Sequence, residues 1–149
     1  MQRTWQIYLS GEIHTDWRDQ IIAACSEANL AVQFSSPITD HEASDKCGVR
    51  ILGDETNGFW EDRKGAGINA IRTQTLIKQA DVVVVRFGPQ YKQWNAAFDA
   101  GYASALDKPL ITLHEPELNH PLKEVDAAAN ATATTPQQVA EILQYVING

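Results

Sequence analysis

The sequence predicts an α/β domain in which a five-stranded parallel sheet is covered by helices on both faces. Three observations point there. Asp81-Val82-Val83-Val84-Val85-Arg86-Phe87 holds four consecutive β-branched residues with no polar alternation, the pattern of a central parallel strand buried on both sides. Strand-like and helix-like stretches alternate along the chain, as βαβ units do. Finally, 149 residues with 44% hydrophobic side chains suit one domain that buries roughly 70% of its unfolded surface without disulfides or metal.

The elements follow in order. Thr4–Leu9 reads as a first strand, ended by Ser10-Gly11. Thr15–Asp19 opens a helix that continues through Ile21, Ile22 and Cys25 to Asn29. Leu30–Phe34 reads as a second strand, stopped by Ser35-Ser36-Pro37. From Pro37 to about Gly67 the chain is polar and irregular. A connection of that length implies one or two short helices, expected around Gly53–Arg63. Ile68, Ile71, Leu76 and Ile77 space an amphipathic helix over Ile68–Gln79. The third strand, Asp81–Phe87, ends at Gly88-Pro89, and Trp94–Leu106 is an Ala-rich helix. Pro109–Leu113 is a fourth strand, Pro121–Ala129 a short helix with proline at its first turn, and Asn130–Ala133 a weak fifth strand. Thr135-Pro136-Gln137-Gln138 carries a cap, proline at N1 and glutamine at N3. It opens a last helix through Val139, Ile142, Leu143 and Val146. No repeat or linker divides the chain, so residues 1–149 are expected to form a single domain. Five strands on this scale suit a flavodoxin-like, doubly wound sheet of order 2-1-3-4-5 with right-handed crossovers.

The net charge of −7 argues against nucleic acid and against an anionic membrane surface as partners. The longest apolar runs fall far short of a membrane span, and Met1–Trp5 is too short and too polar for a leader. Cys25 and Cys47 are isolated, Cys25 in an apolar helical stretch and Cys47 in a polar loop, with no CxxC spacing. They read as reduced thiols of a cytoplasmic protein. Neither GxGxxG nor a Walker A pattern occurs, and no cofactor is expected.

Ligands of such sheets bind beyond the carboxyl ends of the strands, so the loops there carry the candidate residues. After strand one stands Ser10-Gly11-Glu12-Ile13-His14. Gly11 allows close backbone approach, and Glu12 and His14 stand either beside a ligand or in solvent. After strand two, Asp40, His41 and Asp45 lack the spacing of a closed metal site, so no metal is expected. Asp40 could accept from a sugar hydroxyl. After strand three, Asn95, Asp99 and Tyr102 lie at i, i+4 and i+7 on one helical face, with Gln93 just before them. Ala97, Gly101 and Ala105 line another face and let the helix approach the sheet. A carboxylate amid Ala, Phe and Gly is placed either as a nucleophile or base or on a solvated outer face. Asn69, Arg72 and Thr73 read as a solvent-facing stripe. Trp17, Trp60 and Trp94 could stack on a base or pack a core or interface.

Several of these stretches resemble the nucleoside 2-deoxyribosyltransferases: Ile7-Tyr8-Leu9-Ser10-Gly11, Ala80-Asp81-Val82-Val83-Val84-Val85, and Asp99-Ala100-Gly101-Tyr102-Ala103-Ser104-Ala105 with Lys108-Pro109. Tyr8–Arg18, Ser36-Pro37 to Asp45, and Lys92–Tyr102 resemble the YtoQ group of that superfamily, over nearly the whole chain. The resemblance implies cofactor-free exchange or hydrolysis at the anomeric carbon of a small-molecule nucleoside or nucleotide. A carboxylate would form a covalent glycosyl-enzyme. The family's nucleophilic glutamate corresponds to Asp99, and its orienting tyrosine to Tyr8. Ser10, Gly11, Glu12, His14, Asp40, Gln93 and Asn95 would contact substrate, in a homo-oligomer. The chain departs from the pattern in carrying Asp99 for the glutamate, Gln93 for an aspartate, and Arg72 or Thr73 where an acid is expected. A module that binds a nucleotide or an ADP-ribose-like ligand without turnover is the alternative.

Overall fold

The computed structural model describes residues 2–149; Met1, part of the stretch read as too short for a leader, lies outside them. Five strands, β1 (Trp5–Gly11), β2 (Val32–Ser35), β3 (Val82–Arg86), β4 (Leu110–Leu113) and β5 (Ala131–Ala133), form one sheet of order β2-β1-β3-β4-β5. Every pairing is parallel. The six helices are α1 (Trp17–Glu27), α2 (His41–Leu52), α3 (Gly58–Gln79), α4 (Trp94–Ala105), α5 (Lys123–Ala128) and α6 (Pro136–Asn148). The doubly wound α/β reading therefore holds.

Strand parity divides the core. Ile7, Leu9, Val82 and Val84 point to one face and pack with Trp17, Ile21 and Cys25 of α1 and Val139 and Leu143 of α6. Tyr8, Val83 and Val85 point to the other, against Ile77 of α3 and Ala96, Ala100 and Ala103 of α4. Four valines with no polar alternation are the consequence of this two-sided burial. β1 carries the site loop: it extends through Gly11, paired with Arg86 of β3. Gly11 has φ 116°, and a Cβ there would lie 2.0 Å from the Arg86 carbonyl oxygen, so this approach of β1 to β3 requires glycine.

The stretch 37–67 differs from the expectation of an irregular connection with short helices around Gly53–Arg63. It forms two long helices, and residues 53–57 are the turn between them. The Asp40 side chain accepts from Ala43 N–H at 2.9 Å and starts α2. Gly53, with φ 94°, ends it. The Asn57 side chain accepts from Trp60 N–H at 3.2 Å and starts α3, which runs unbroken to Gln79. Gly48 and Gly65 let the helices touch: a Cβ on Gly48 would meet Lys64 Cβ at 2.5 Å. Cys47 accordingly lies on α2 rather than in a loop. The apolar spacing of α3 is also not its buried face throughout, since Ile77 is fully buried but Ile71 is 71% exposed. In α4 the sheet-facing residues are Ala96, Ala100 and Ala103; Gly101 and Ala105 are exposed. The face holding Ala97, Gly101 and Ala105 instead borders a groove toward α5.

Candidate active site

The second face of the sheet assembles the site. Tyr8 and Ser10, two apart on β1, both point to the α3/α4 side, and both are fully buried. Asp99, two turns from the sequence break that precedes α4, is 8% exposed. The Ser10 hydroxyl donates to Asp99 Oδ2 at 2.6 Å. Burial raises the Asp99 carboxyl above its ordinary range, and the Ser10 hydrogen bond partly offsets this by favouring the ionised form. Tyr8 Oη is buried; no hydrogen bond to it has full geometry among the described residues, and the Thr73 side chain is the neighbour in reach of one. Burial pushes its phenol up to about 12; the Thr73 side chain opposes the rise, the Asp99 charge adds to it, and Arg18 and Arg72 pull against it. Tyr8, Thr73 and Asp99 thus share one electrostatic environment, between α3 and α4 above β1.

The loop after β1 is held from within. Glu12 Oε2 accepts from His14 N–H at 2.7 Å and Thr15 N–H at 3.1 Å, and Oε1 accepts from the Thr15 hydroxyl. Trp17 Nε1 donates to the Glu12 carbonyl at 2.8 Å. Arg18 donates to the carbonyls of Leu9, Gly11 and Glu12, and burial lowers its pKa to about 10. The Glu12 carboxylate is therefore a loop brace, 4.0 Å from Arg86 Nε. Arg86 Nη2 in turn pairs with Glu115 Oε1 at 2.8 Å. On β4, His114 is fully buried, its Nε2 2.8 Å from Asp126 of α5 and its Nδ1 2.8 Å from the Glu115 carbonyl oxygen. This network fastens the carboxyl end of β4.

The remaining sequence candidates spread along the same sheet edge. His14 is exposed and its ring lies 4.7 Å from that of Tyr91. Gln93 Oε1 accepts from Gly88 N–H at 3.0 Å, closing the loop after β3. Asn95 is exposed one turn before Asp99. Asp40 is engaged as the α2 cap, one strand further out. Of the stripe Asn69, Arg72 and Thr73, read as solvent-facing, Arg72 is exposed while Asn69 and Thr73 are half-buried. Asn69 Nδ2 donates to the Ser44 carbonyl at 3.0 Å, Arg72 Nη2 to the Ser36 carbonyl at 3.2 Å, and Thr73 is half-buried beside Tyr8.

Among the described residues no three His, Cys, Asp or Glu side chains cluster to hold a metal, and no helix is long and apolar enough to cross a membrane. Surface grooves of 430 Å³ and 370 Å³ border Gln138 and Tyr145, and Gly101 and Glu124; neither is lined by Asp99.

Residues 8–147 match the family model described as nucleoside 2-deoxyribosyltransferase YtoQ. The chain is 42% identical over 140 residues to the uncharacterized protein YtoQ of Bacillus subtilis (strain 168), covering 94% of this chain and 95% of that one. Its fold is similar to that of a 2-deoxyribosyltransferase from Bacillus psychrosaccharolyticus, with TM-score 0.54 and 17% identity over 91% of this chain and 90% of that one. It is also similar to a conserved protein from Enterococcus faecalis V583, with TM-score 0.64 and 9% identity over 97% and 99%.

Proposed function

Since the chain belongs to the nucleoside 2-deoxyribosyltransferase YtoQ family, we propose that it breaks and remakes the N-glycosidic bond of a nucleoside or nucleotide, with Asp99 as the carboxylate that meets the anomeric carbon. The observation that carries this reading is the buried Asp99 side chain held by Ser10 at 2.6 Å, with the fully buried Tyr8 phenol in the same electrostatic environment. A carboxylate fixed by one hydrogen bond keeps its second oxygen for bond formation. Asp99 adds to the anomeric carbon as the C–N bond breaks, and the electron pair leaves with the base, which is protonated by water; the acceptor's N–H proton returns to water in the second step. An acceptor base then attacks the glycosyl-enzyme and releases the Asp99 carboxylate; water in its place gives hydrolysis. Tyr8 lies close enough to orient Asp99 or the sugar. Ser10 and the Gly11 backbone border the reacting centre, and His14, Gln93, Asn95 and Asp40 stand further out along the edge.

A specific observation favours the binding-module reading as the runner-up. Glu12, the other buried carboxylate of this edge, has both oxygens tied into its own loop, which removes it as a ready proton donor to the base. Incubating the protein with nucleosides and nucleotides, with and without an acceptor base, separates the two. Mass spectrometry then reads free base, exchanged product and a glycosyl adduct on Asp99. Turnover that vanishes in Asp99→Ala is the expected result. Binding by thermal shift with no turnover across the panel would favour the module.

The protein is further proposed to work in the cytoplasm, where the buried Cys25 thiol and Cys47 remain reduced, and to do so as a homo-oligomer. Trp94 at 73% and Phe98 at 65% exposure, beside the site on α4, support self-association.

A further inference from the structure

We propose that Arg72 is a specificity-determining residue, and that the N-glycoside taken at this site carries an anionic oxygen group, phosphoryl or carboxyl, that docks on its guanidinium. This rests on the N-glycoside reading of the site and names its substrate class. Three arginines stand near the carboxyl edge of the sheet. Arg18 spends its donors on three backbone carbonyls, and Arg86 lies between Glu115 and Glu12. Arg72 differs: its one hydrogen bond among the described residues is from Nη2 to the Ser36 carbonyl at 3.2 Å, and it forms no ion pair there.

That bond fixes where the charge sits. Ser36 follows Ser35, the register partner of Tyr8, and neighbouring strands lie about 4.8 Å apart. The guanidinium therefore stands over the end of β2, roughly one strand from Tyr8, with the next residue, Thr73, beside the Tyr8 phenol. Arg72 is exposed on α3 and tethered to the backbone by this one bond. It keeps most of its five N–H donors for a ligand, in the planar fork that matches phosphoryl and carboxyl oxygens. A cation is also needed on electrostatic grounds. The chain carries a net charge of −7 and the site contains the Asp99 carboxylate, so an anionic substrate is repelled unless a fixed positive charge meets it.

The test compares three substrates: a neutral nucleoside, its 5′-monophosphate, and a nucleoside whose base carries a carboxylate. Each is measured with wild type, Arg72→Ala and Arg72→Lys, for kcat/KM and, on Asp99→Asn, for Kd by calorimetry. Wild type is expected to favour one charged substrate over the neutral one. That preference should fall by about tenfold to a hundredfold in Arg72→Ala, the range of one or two charge-assisted hydrogen bonds, recover partly in Arg72→Lys, and weaken with added salt. Which charged substrate responds identifies the group. A preference for the neutral nucleoside, a charge preference indifferent to Arg72, or no binding of any charged substrate overturns the proposal. Arg72-dependent binding of a charged ligand without turnover would uphold it and overturn the glycosyl-transfer reading instead.

Discussion

At the scale of the residue, the central feature is a hydrogen bond between two buried groups 89 residues apart in the chain, Ser10 and Asp99. Burial raises the Asp99 carboxyl and the Ser10 hydroxyl lowers it, so the two set the pH at which Asp99, the proposed nucleophile, is ionised. The carboxylate reacts and the acid does not, so kcat/KM falls as pH drops through the Asp99 pKa. Ser10→Ala removes the offsetting hydrogen bond, and the acid limb of the pH profile should move to higher pH. A pH–rate profile of both proteins measures this; an unmoved limb would mean that another group controls it. The linkage to stability has a definite sign. A carboxyl raised in the folded state binds protons more tightly there than in the unfolded chain, so its contribution diminishes as pH rises through the folded-state pKa. Asp99→Asn keeps an acceptor for Ser10 without the buried charge. Its melting temperature at neutral pH should equal or exceed that of wild type while turnover is lost, as for a site residue held at some cost in stability.

At the scale of the element, the α2–α3 hairpin shows how much a single cap decides. The polar composition of residues 37–67 suggests irregular chain, yet Asp40 and Asn57 each satisfy a free N–H at a helix start, and Gly48 and Gly65 let the two helices close on each other. Asp40→Ala should cost about 1 kcal/mol, the usual effect of losing an N-cap, visible as a shift of the urea midpoint with unchanged slope. If Asp40 instead contacts substrate, the same variant would raise KM with little change in stability. α3 also explains the misplaced stripe. Asn69 and Thr73 are half-buried against Ser44 and Tyr8 while Arg72 and Ile71 are exposed, because the surfaces this stretch of the helix meets are polar. An apolar period identifies a buried face only where the facing surface is apolar too.

At the scale of the whole molecule, the two layers of helices differ in task. α1 and α6 close an apolar core over Ile7, Leu9 and Val84, while α3 and α4 cover a face that is apolar at its base and polar at its carboxyl edge. The site lies where this second layer parts above β1. Exposed Trp94 and Phe98 border it, and light scattering coupled to size exclusion should give a dimer or larger assembly at micromolar concentration. Trp94→Ser with Phe98→Ser should shift that mass toward the monomer if α4 forms the contact. A monomeric wild type would remove the homo-oligomer from the account.

The strand order was expected from the fold class, whereas the sequence by itself determined the five strands, the buried valines of β3 and the place of Asp99 on the first turns of α4. Each of these is encoded locally, in β-branched runs, proline and glycine breaks and helical spacing. Only the tertiary structure decided that Ser10 meets Asp99, that Glu12 is closed into its own loop, and that Thr73 stands half-buried beside the Tyr8 phenol. The reason is physical. A residue's type and period report which side of its element it occupies, but its hydrogen-bond partner and its degree of desolvation depend on elements tens of residues away, which meet only when the layers pack.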